Sequence, residues 1–549
     1  MSSEPKRATD AATSSDLDNG GAAALFDIAI VGAGFAGLYL LQRLRSQGFS
    51  VRVFESAADV GGVWYWNRYP GARCDVESLQ YSYSFSDPLQ QEWQWTERYA
   101  GQAEILRYIN HVADRFDLRR DIRFNTAIEA AHFDEASGCW QLRTSQGEQI
   151  SARHCVMATG ALSAARVPDF AGLADFQGAA HHTGAWPHEG VDFTGLNVGV
   201  IGTGSSGIQA IPVIAGQAAQ LVVFQRTPSF TIPAWNAPLE DAAQEAWKQD
   251  YAKHRSRARE VGTLYDFTDH AAADVSEAQR QAEYETRWNK GGVNFVHSFK
   301  DLMVNQASND TIADFVRAKI RATVKDPAVA ATLSPQSYPL GTKRICVDSG
   351  YYDTFNRANV QLVDVKKTPI ECLTPTGIRT SASEFKLDAI VFATGYDALT
   401  GALARIDIRG SGGRTLKDKW THGPRTYLGL MSAGFPNLFM VTGPGSPSVL
   451  VNMVVGIEQH VEWISQCLTH LRAHGFKRME AELAAEDAWV EHVNEAADRT
   501  LFPLADSWFL GANVPGKARV FMPYVAKIGE YRRECDAVAE QGYSGFQLI

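Results

Sequence analysis

The chain has 549 residues, of which 45% are hydrophobic and 21% charged, as in an ordinary globular protein of several domains. This composition excludes a disordered chain, a collagen-like repeat and a coiled-coil rod. Lys and Arg total 52 against 62 Asp and Glu, which gives a net charge of −10. General binders of nucleic acid or of anionic membranes need a basic surface. We therefore expect neither as a partner.

The cysteines and the N-terminus indicate the compartment. Seven cysteines are scattered along the chain without a C-x-x-C pair, so we expect no structural zinc and no redox-active dithiol. This pattern is typical of the reducing cytoplasm. Residues 1–24 are rich in Ser, Asp and Ala and contain no apolar signal-peptide core, so we expect a disordered tail. No apolar run approaches the roughly 18 residues of a membrane helix.

A strand, turn, helix and second strand open the folded part of the chain at Phe26. The predicted strands span 28–31 and 51–55, and an amphipathic helix spans 38–45. The turn has the spacing G-x-G-x-x-G, and the pattern recurs 170 positions later; the six glycines are Gly32, Gly34, Gly37, Gly202, Gly204 and Gly207. In such turns the glycines permit the tight turn, let the backbone approach a pyrophosphate and let helix pack on strand. One motif is weak evidence, but two in this context indicate two dinucleotide sites.

The residue that ends the second strand selects the dinucleotide. In the first unit this residue is Glu55, and a carboxylate there hydrogen-bonds a ribose diol, which favours FAD or NAD. In the second unit the same offset falls on Gln225, followed by Arg226 and Thr227. A neutral residue followed by a guanidinium favours the 2′-phosphate of NADP; the alternative is that Arg226 is a solvated surface residue. We therefore expect FAD and NADPH.

These patterns predict an α/β fold with two Rossmann-like dinucleotide-binding domains. We expect the first part of the FAD domain over 25–157, the NADP domain over 158–393, and the rest of the FAD domain with the C-terminal region over 394–549. Residues 234–339 are rich in Ala, Glu, Arg and Lys, with apolar residues at helical spacing, which predicts a helical insertion in the NADP domain. Strand-to-glycine exits at 158–160 and 393–395 accompany the domain boundaries.

Two loops before the second glycine motif contain candidate functional residues. Residues 61–78 make a poor strand and a poor helix, so we expect a loop wrapped on a flat ring; the alternative is that its tryptophans are simply core. Residues 176–187 contain His182, whose only neighbouring histidines are His181 and His188, and no cysteine is close. We therefore expect a linker that sets the domain geometry, and no metal site.

Lys343 and Arg344 form a basic pair after a Gly-Thr turn. One cation could reach a nucleotide phosphate and the other a developing anion on the flavin. The alternative is a solvated basic pair.

At this point the sequence resembles a known family. The pattern F-x-G-x-x-x-H-x-x-x-W-P matches the fingerprint of the class B flavoprotein Baeyer–Villiger monooxygenases; its residues are Phe176, Gly178, His182, Trp186 and Pro187. The likeness runs from about residue 26 to 546 and is most specific to the branch that contains the phenylacetone and steroid monooxygenases. The sister N- and S-oxygenating monooxygenases share the glycine motifs but end the middle motif in an aromatic residue. The Trp-Pro ending therefore favours the ketone-oxidising family.

The resemblance implies roles for individual residues. Asp75 would be the carboxylate beside the flavin, and Arg344 its mobile cationic partner. Lys343, Arg226 and Thr227 would hold the 2′-phosphate of NADP. The further implied contacts are Gly62, Trp64, Thr203, Ser205, Ser206 and Trp508 for the cofactors, and Ser448, Val449, Leu450 and Met453 for the substrate. Ala161 stands where some relatives carry Gln, so we expect altered nicotinamide contacts without loss of activity.

The implied reaction is NADPH- and O2-dependent oxidation of cyclic, aryl-aliphatic or steroid-like ketones to esters or lactones, with sulfoxidation as a further activity. It would pass through a C4a-peroxyflavin and a tetrahedral adduct, both anions that a permanently charged guanidinium would stabilise. The alternatives are an N- or S-oxygenating monooxygenase and a non-catalytic NADP sensor. Trp186-Pro187 and the Asp75/Arg344 pair count against the first, and Arg344 against the second. We expect a monomer or weak homo-oligomer.

Overall fold

The computed structural model describes residues 25–549, so the tail expected over 1–24 lies outside the described residues. Two parallel strand–helix–strand units, with α1 between β1 and β2 and α5 between β8 and β9, agree with the predicted α/β class. The strands are β1 Leu25–Val31, β2 Val51–Phe54, β3 Ile122–Arg123, β4 Ile128–Asp134, β5 Cys139–Thr144, β6 Gln149–Met157, β7 Ala179–His182, β8 Asn197–Ile201, β9 Gln220–Gln225, β10 Thr231–Pro233, β11 Cys346–Asp348, β12 Val360–Asp364, β13 Ile370–Thr374, β14 Gly377–Thr380, β15 Glu384–Lys386, β16 Ala389–Phe392, β17 Asp407–Arg409, β18 Leu438–Met440, β19 Met479–Ala481 and β20 Phe546–Leu548.

The helices occupy the connections and most of the C-terminal region. They are α1 Phe35–Ser46, α2 Val63–Trp66, α3 Asp87–Glu92, α4 Gln102–Arg115, α5 Ser205–Gln217, α6 Asp241–Gln249, α7 Tyr251–Val261, α8 Glu277–Lys290, α9 Gln306–Thr323, α10 Pro327–Leu333, α11 Tyr351–Thr354, α12 Gly401–Ala404, α13 Leu416–Lys419, α14 Met453–His474, α15 Leu483–Asp498 and α16 Ile528–Glu540. No helix among residues 25–549 is both long and apolar enough to cross a membrane.

The first sheet carries the first glycine turn and takes strands from both ends of the chain. Its order is β17-β4-β5-β6-β1-β2-β3, and β18 also pairs with β6. Strands β6, β1, β2 and β3 are parallel neighbours, whereas β4 and β5 join as antiparallel strands. Because β17 and β18 lie beyond residue 394, the C-terminal part returns to this sheet. The exact domain boundaries remain a prediction.

The second sheet is entirely parallel, with the order β12-β9-β8-β16-β7. Its central strands β8, β9 and β16 consist almost entirely of buried residues, as expected for a parallel sheet covered on both faces. Helix α5 follows β8 and presents Ile208, Ile211 and Ile214, all at most 1% exposed, to the core of this half.

The helical insertion is confirmed: α6 to α10 fall within 234–339. Strands β10 and β11, on either side of it, pair in parallel, with Thr231 opposite Cys346. The chain therefore leaves and re-enters the second domain at one place. Three-residue strands of this kind are too short to show a periodic pattern in sequence, and this pair was not predicted.

The expectation of irregular structure throughout 61–78 is wrong at Val63–Trp66, which form α2. The turn begins at Gly62, whose φ is +55°, and the Asn67 amide donates to the Val63 carbonyl at 2.9 Å. The turn lies between two glycine-containing bends and closes a backbone hydrogen bond of its own. Four residues are too few to show the apolar period of a helix, so the sequence pattern did not indicate it.

Candidate functional site

The two glycine turns have the same backbone geometry. Gly32 has φ +107° and Gly202 has φ +109°, a region that favours glycine. A Cβ at Gly32 would lie 2.6 Å from the Ala158 oxygen, and one at Gly202 would lie 2.4 Å from the Ala393 oxygen. Each strand-to-glycine exit predicted from the sequence therefore packs directly under the first glycine of a motif.

The helix that leaves each turn begins without a side-chain cap. Gly34 and Gly204 occupy the N-cap positions of α1 and α5, and neither helix has an acidic residue in its first turn. A Cβ at Gly37 or Gly207 would lie 1.9 or 2.2 Å from the oxygen of the first glycine, so the third position packs helix against turn. At Gly204 no atom lies within 4 Å of the Cβ position. Free N–H groups and open space at a helix start fit a pyrophosphate.

Glu55 lies directly after β2 and is 5% exposed. Its two carboxylate oxygens accept hydrogen bonds from the Ala33 amide at 2.7 Å and the Ala57 amide at 2.8 Å. These bonds fix the carboxylate beside the glycine turn and leave acceptor capacity on both oxygens. The arrangement fits a ribose hydroxyl, and a contact of Glu55 with FAD stays a prediction.

The second nucleotide site collects positive charge. Arg226 is exposed directly after β9, and Lys343 lies 4.9 Å from the centre of the Tyr338 ring. Burial, followed by the nearby Arg226 and Lys366, lowers the pKa of Lys343 to about 8, although Asp506 opposes the shift. Within residues 25–549 none of these three cations forms a salt bridge. Such a cluster fits a phosphate dianion.

Lys366 was not singled out from the sequence. It lies two residues after β12, whereas Arg226 directly follows β9, and these parallel strands pair with Asp364 opposite Gln225. The position that matches Arg226 is therefore Val365, so an offset from the strand end would not have identified Lys366.

Gln225 is buried against the helical insertion. It is 2% exposed, and its amide nitrogen donates to the Thr332 carbonyl of α10 at 2.8 Å. A carboxylate could not donate this bond, so the neutral residue is also required by the insertion. The neighbouring Thr203 hydroxyl donates to the Thr227 carbonyl at 3.1 Å, which ties the second turn to the end of β9.

Asp75 and Arg344 form a bidentate ion pair between residues 269 positions apart. Arg344 Nε and Nη2 donate to the two Asp75 oxygens at 2.8 and 2.7 Å, and Nη1 donates to the Val449 carbonyl at 2.7 Å. The Asp75 charge raises the pKa of Arg344 above its usual value against the opposing effect of burial. The guanidinium is therefore charged and oriented on two sides.

The pair lies beside the start of α5. The Ser205 hydroxyl and the Cys346 thiol are 3.4 Å apart, and the Cys346 thiol is 3.7 Å from the Arg344 carbonyl. On the Asp75 side, the Tyr69 hydroxyl donates to Gln209 Oε1 of α5 at 2.8 Å. Burial raises the pKa of Tyr69 to about 12, and a hydrogen bond with Ser206 opposes that shift. The NADP turn, Asp75 and Arg344 are thus neighbours.

The predicted substrate loop contacts both Arg344 and the C-terminal segment. Val449 is 4% exposed and belongs to an apolar cluster with Ala161 and Phe509. Three predicted residues pack against this cluster: Leu450, Met453 and Trp508. Ser448 is buried, and its hydroxyl donates to the Thr442 carbonyl at 3.3 Å. The structure therefore brings the loop, Trp508 and the divergent Ala161 together.

The middle fingerprint bridges the two domains. His182 ends β7; its Nδ1 accepts from the Gly184 amide at 2.9 Å, and its Nε2 lies 3.4 Å from the Thr394 hydroxyl. Burial lowers the pKa of His182, which favours the neutral imidazole. Trp186 is 3% exposed, and its amide donates to the Trp66 carbonyl at 3.3 Å.

The other fingerprint residues pack locally. A Cβ at Gly178 would lie 2.5 Å from the Phe176 ring, and Pro187 directly follows Trp186. No group of three or more His, Cys, Asp or Glu side chains among residues 25–549 is arranged to hold a metal ion.

Trp64 lies in α2 next to Gly62. It is 9% exposed, its indole donates to the Tyr81 hydroxyl at 3.2 Å, and its ring packs in the core of the first domain. This part of the aromatic loop therefore belongs to the hydrophobic core, which is the alternative to a loop wrapped on a flat ring. The Gly62 backbone faces Gly34, since a Cβ at Gly62 would lie 3.1 Å from the Gly34 Cα.

Tyr265 was also missed by the sequence reasoning. It comes from the insertion, and burial raises its pKa above its usual value, while the charges of Arg344 and Asp75 act on it in opposite directions. A single Tyr in a long helical segment carries no sequence pattern that would have identified it.

Comparison with known proteins agrees with this geometry. The family model described as pyridine nucleotide-disulphide oxidoreductase matches residues 26–259. The chain is 53% identical to a solved structure described as oxidized steroid monooxygenase bound to NADP, covering 96% of this chain and all of that one, with a TM-score of 0.92. Another solved structure, with 40% identity, a TM-score of 0.93, and coverage of 95% of this chain and 99% of that one, contains FAD and NADP.

Two relatives with similar sequence identity to this chain carry different activities in their names. Over 95% of this chain and 97% of the relative, the chain is 41% identical to a phenazine N-monooxygenase of Lysobacter antibioticus. Over 94% of this chain and 95% of the relative, it is 44% identical to a Baeyer–Villiger monooxygenase of Pseudooceanicola batsensis. With identity of this extent along nearly its whole length, the chain belongs to the FAD- and NADP-dependent Baeyer–Villiger monooxygenases.

Proposed function

We propose that this enzyme uses NADPH and O2 to oxidise a ketone to an ester or lactone, with Arg344 and Asp75 as its catalytic pair. The observation that carries the proposal is the position of Arg344. Its guanidinium is held by Asp75 on one side and by the Val449 carbonyl of the substrate loop on the other. A fixed positive charge therefore lies where the NADP turn and the loop meet.

FAD held at the first glycine turn would supply the chemistry that activates O2, with NADPH as the reductant. The protein supplies binding, orientation and charge. Arg344 stabilises the negative charge that develops on oxygen as it is transferred to the carbonyl, because a guanidinium stays charged at any working pH. Asp75 orients Arg344 through two bonds of 2.8 and 2.7 Å. Val449 accepts the third bond and links the cation to the substrate loop.

For the cofactors, we propose that the first glycine turn and Glu55 hold FAD and that the second turn holds NADP. Arg226, Thr227, Lys343 and Lys366 bind the 2′-phosphate. Their support is that Arg226 and Lys366, just beyond the ends of β9 and β12, both act electrostatically on Lys343. Trp508, which packs against the substrate-loop cluster, covers the bound NADP.

For the substrate, we propose a cyclic, aryl-aliphatic or steroid-like ketone. The loop residues Val449, Leu450 and Met453 are apolar and lie in or against one apolar cluster, which fits a hydrocarbon skeleton around the carbonyl. Sulfides are expected to be oxidised more slowly at the same place. N-oxygenation is the second candidate, because a relative at 41% identity carries that activity in its name.

The test uses purified holoenzyme with NADPH and a panel of ketones, sulfides and aromatic N-heterocycles. NADPH oxidation should rise on adding ketone, and mass spectrometry should find one atom of 18O from 18O2 in the ester. A heterocycle that is N-oxidised with higher kcat/KM than every ketone would replace the first function by the second. NADPH oxidation that forms only hydrogen peroxide with the whole panel would refute both.

A further inference from the structure

The loop that accepts a hydrogen bond from Arg344 contains residues in an unfavourable backbone conformation. Ser448 has φ +41° and Thr442 has φ +54°, and both are buried. Residues with side chains rarely adopt this left-handed region, and they persist there only when the surrounding structure holds them. The Val449 carbonyl, which accepts from Arg344, directly follows Ser448. One of the three hydrogen bonds that position Arg344 therefore depends on whatever fixes this loop.

Asn452 fixes the end of the loop through three hydrogen bonds. It is 1% exposed. Its backbone amide donates to the Thr263 hydroxyl at 3.1 Å, and its side-chain amide donates to the Gln80 carbonyl at 2.7 Å. Its side-chain oxygen accepts from the Val454 amide at 3.1 Å, which caps α14. The Asn452 backbone amide thus joins the loop to the insertion, and its side chain joins the loop to the first domain and to a long helix.

Residues of the insertion also form hydrogen bonds with Gln80. The Leu264 amide donates to Gln80 Oε1 at 2.8 Å, and Arg255 Nη1 donates to the Gln80 carbonyl at 3.2 Å. Gly262 has φ +81°, and a Cβ there would lie 2.8 Å from a Val451 methyl. The turn that ends α7 is therefore seated directly on the substrate loop.

The same segment continues to Tyr265, whose amide donates to the Thr263 carbonyl at 2.8 Å. Burial raises the pKa of Tyr265 above its usual value, and the charges of Arg344 and Asp75 act on it in opposite directions. The segment 262–265 therefore packs on the substrate loop at Gly262 and lies within electrostatic range of the ion pair at Tyr265.

We infer that Thr263 and Asn452 are positioning residues through which the helical insertion holds the Val449 carbonyl, and with it Arg344, in place for oxygen transfer. This inference rests on the proposed role of Arg344. It predicts that breaking the link between Thr263 and Asn452 uncouples NADPH oxidation from ester formation, while hydride transfer to the flavin continues.

The test compares Thr263→Val, Thr263→Ser and Thr144→Val as holoenzymes. Valine keeps the volume of threonine but accepts no bond from Asn452, whereas serine keeps the hydroxyl. Thr144 is the matched control: it is 0% exposed and its hydroxyl accepts the Glu148 amide at 3.1 Å, in a hairpin of the first sheet. Three quantities are measured: the ratio of hydrogen peroxide to ester, the rate of anaerobic flavin reduction, and Tm.

Thr263→Val should raise the peroxide-to-ester ratio about 10-fold, the scale of one lost buried hydrogen bond. Flavin reduction should change less than about 2-fold. Thr263→Ser and Thr144→Val should keep the parent ratio, although Thr144→Val lowers Tm. If Thr263→Val does not fold, Thr263→Ala, which removes the same hydroxyl and adds no bulk, takes its place with the same expectation.

Three results would overturn the inference. Parent-like coupling in the Thr263 variants without the hydroxyl, while Arg344→Ala loses ester formation, removes the positioning role and leaves the proposed function intact. Uncoupling by Thr263→Ser equal to that by Thr263→Val shows that packing, rather than the hydroxyl, matters. Ester formation at the parent rate in Arg344→Ala removes the proposed function, and the inference falls with it.

Discussion

Replacing Arg344 by Ala tests the proposed mechanism most directly. The substitution removes three hydrogen bonds of 2.7 to 2.8 Å, two to Asp75 and one to the Val449 carbonyl. It also removes the only cation that contacts Asp75 among the described ion pairs. Loss of one well-placed donor to a developing anion costs ~10²–10³ in rate, or about 2.7–4 kcal/mol. We expect ester formation to fall by at least this factor.

The assay separates the two half-reactions. Anaerobic stopped-flow with NADPH should show flavin bleaching that is slowed but not abolished, because hydride transfer does not require the oxygen anion. In air, the variant should return O2 as hydrogen peroxide, with little ester by gas chromatography. The ester yield of Arg344→Lys should lie between those of the parent enzyme and of Arg344→Ala, since an ammonium keeps the charge but not the bidentate geometry.

A matched control separates chemistry from stability. Arg45 and Asp121 form a pair whose side chains are 26% and 24% exposed, against 26% and 22% for Arg344 and Asp75. Arg45→Ala should lower Tm by a similar amount without uncoupling. If Arg344→Ala still forms ester near the parent rate, or if Arg45→Ala uncouples equally, the assignment of Arg344 is wrong.

Three further predictions concern NADP. The pKa of Lys343 is lowered to about 8, and only the protonated side chain pairs with a phosphate. The KM for NADPH should therefore rise above pH 8, while the KM for NADH should not change with pH. Lys343→Arg should remove this pH dependence. Lys366→Ala should raise the KM for NADPH about 10-fold and spare NADH, whereas the neighbouring Lys367→Ala, a residue 76% exposed at its side chain, should change neither; equal losses with both cofactors would contradict a phosphate contact. Gly202→Ala should abolish NADPH binding by titration, because its Cβ would lie 2.4 Å from a backbone oxygen at φ +109°, while Gly216→Ala, with no atom within 4 Å, should bind normally.

Much of the fold could be predicted because its signals are local. Glycine spacing, strand-to-glycine exits and helical periodicity each lie within about thirty residues of sequence, and the structure has the corresponding turns, strands and insertion at those places. The α2 turn and the β10–β11 pair were not predicted, since four and three residues are too few to show a period. Gln225 shows the same limit at a site: its offset from Gly202 suggested a nucleotide contact, but its amide donates to Thr332.

The sequence by itself therefore determined the α/β class, the two dinucleotide turns, the choice of FAD and NADP, and the family. Only the tertiary structure decided which residues stand together around Arg344. Asp75 is 269 positions away from it and Val449 is 105, and Thr263 meets Asn452 across 189. Such contacts depend on how two sheets and an insertion pack, and no local pattern of residue types specifies the distance between atoms on separate elements. The chemistry of each residue is set by its type, and its role is set by the neighbours that packing provides.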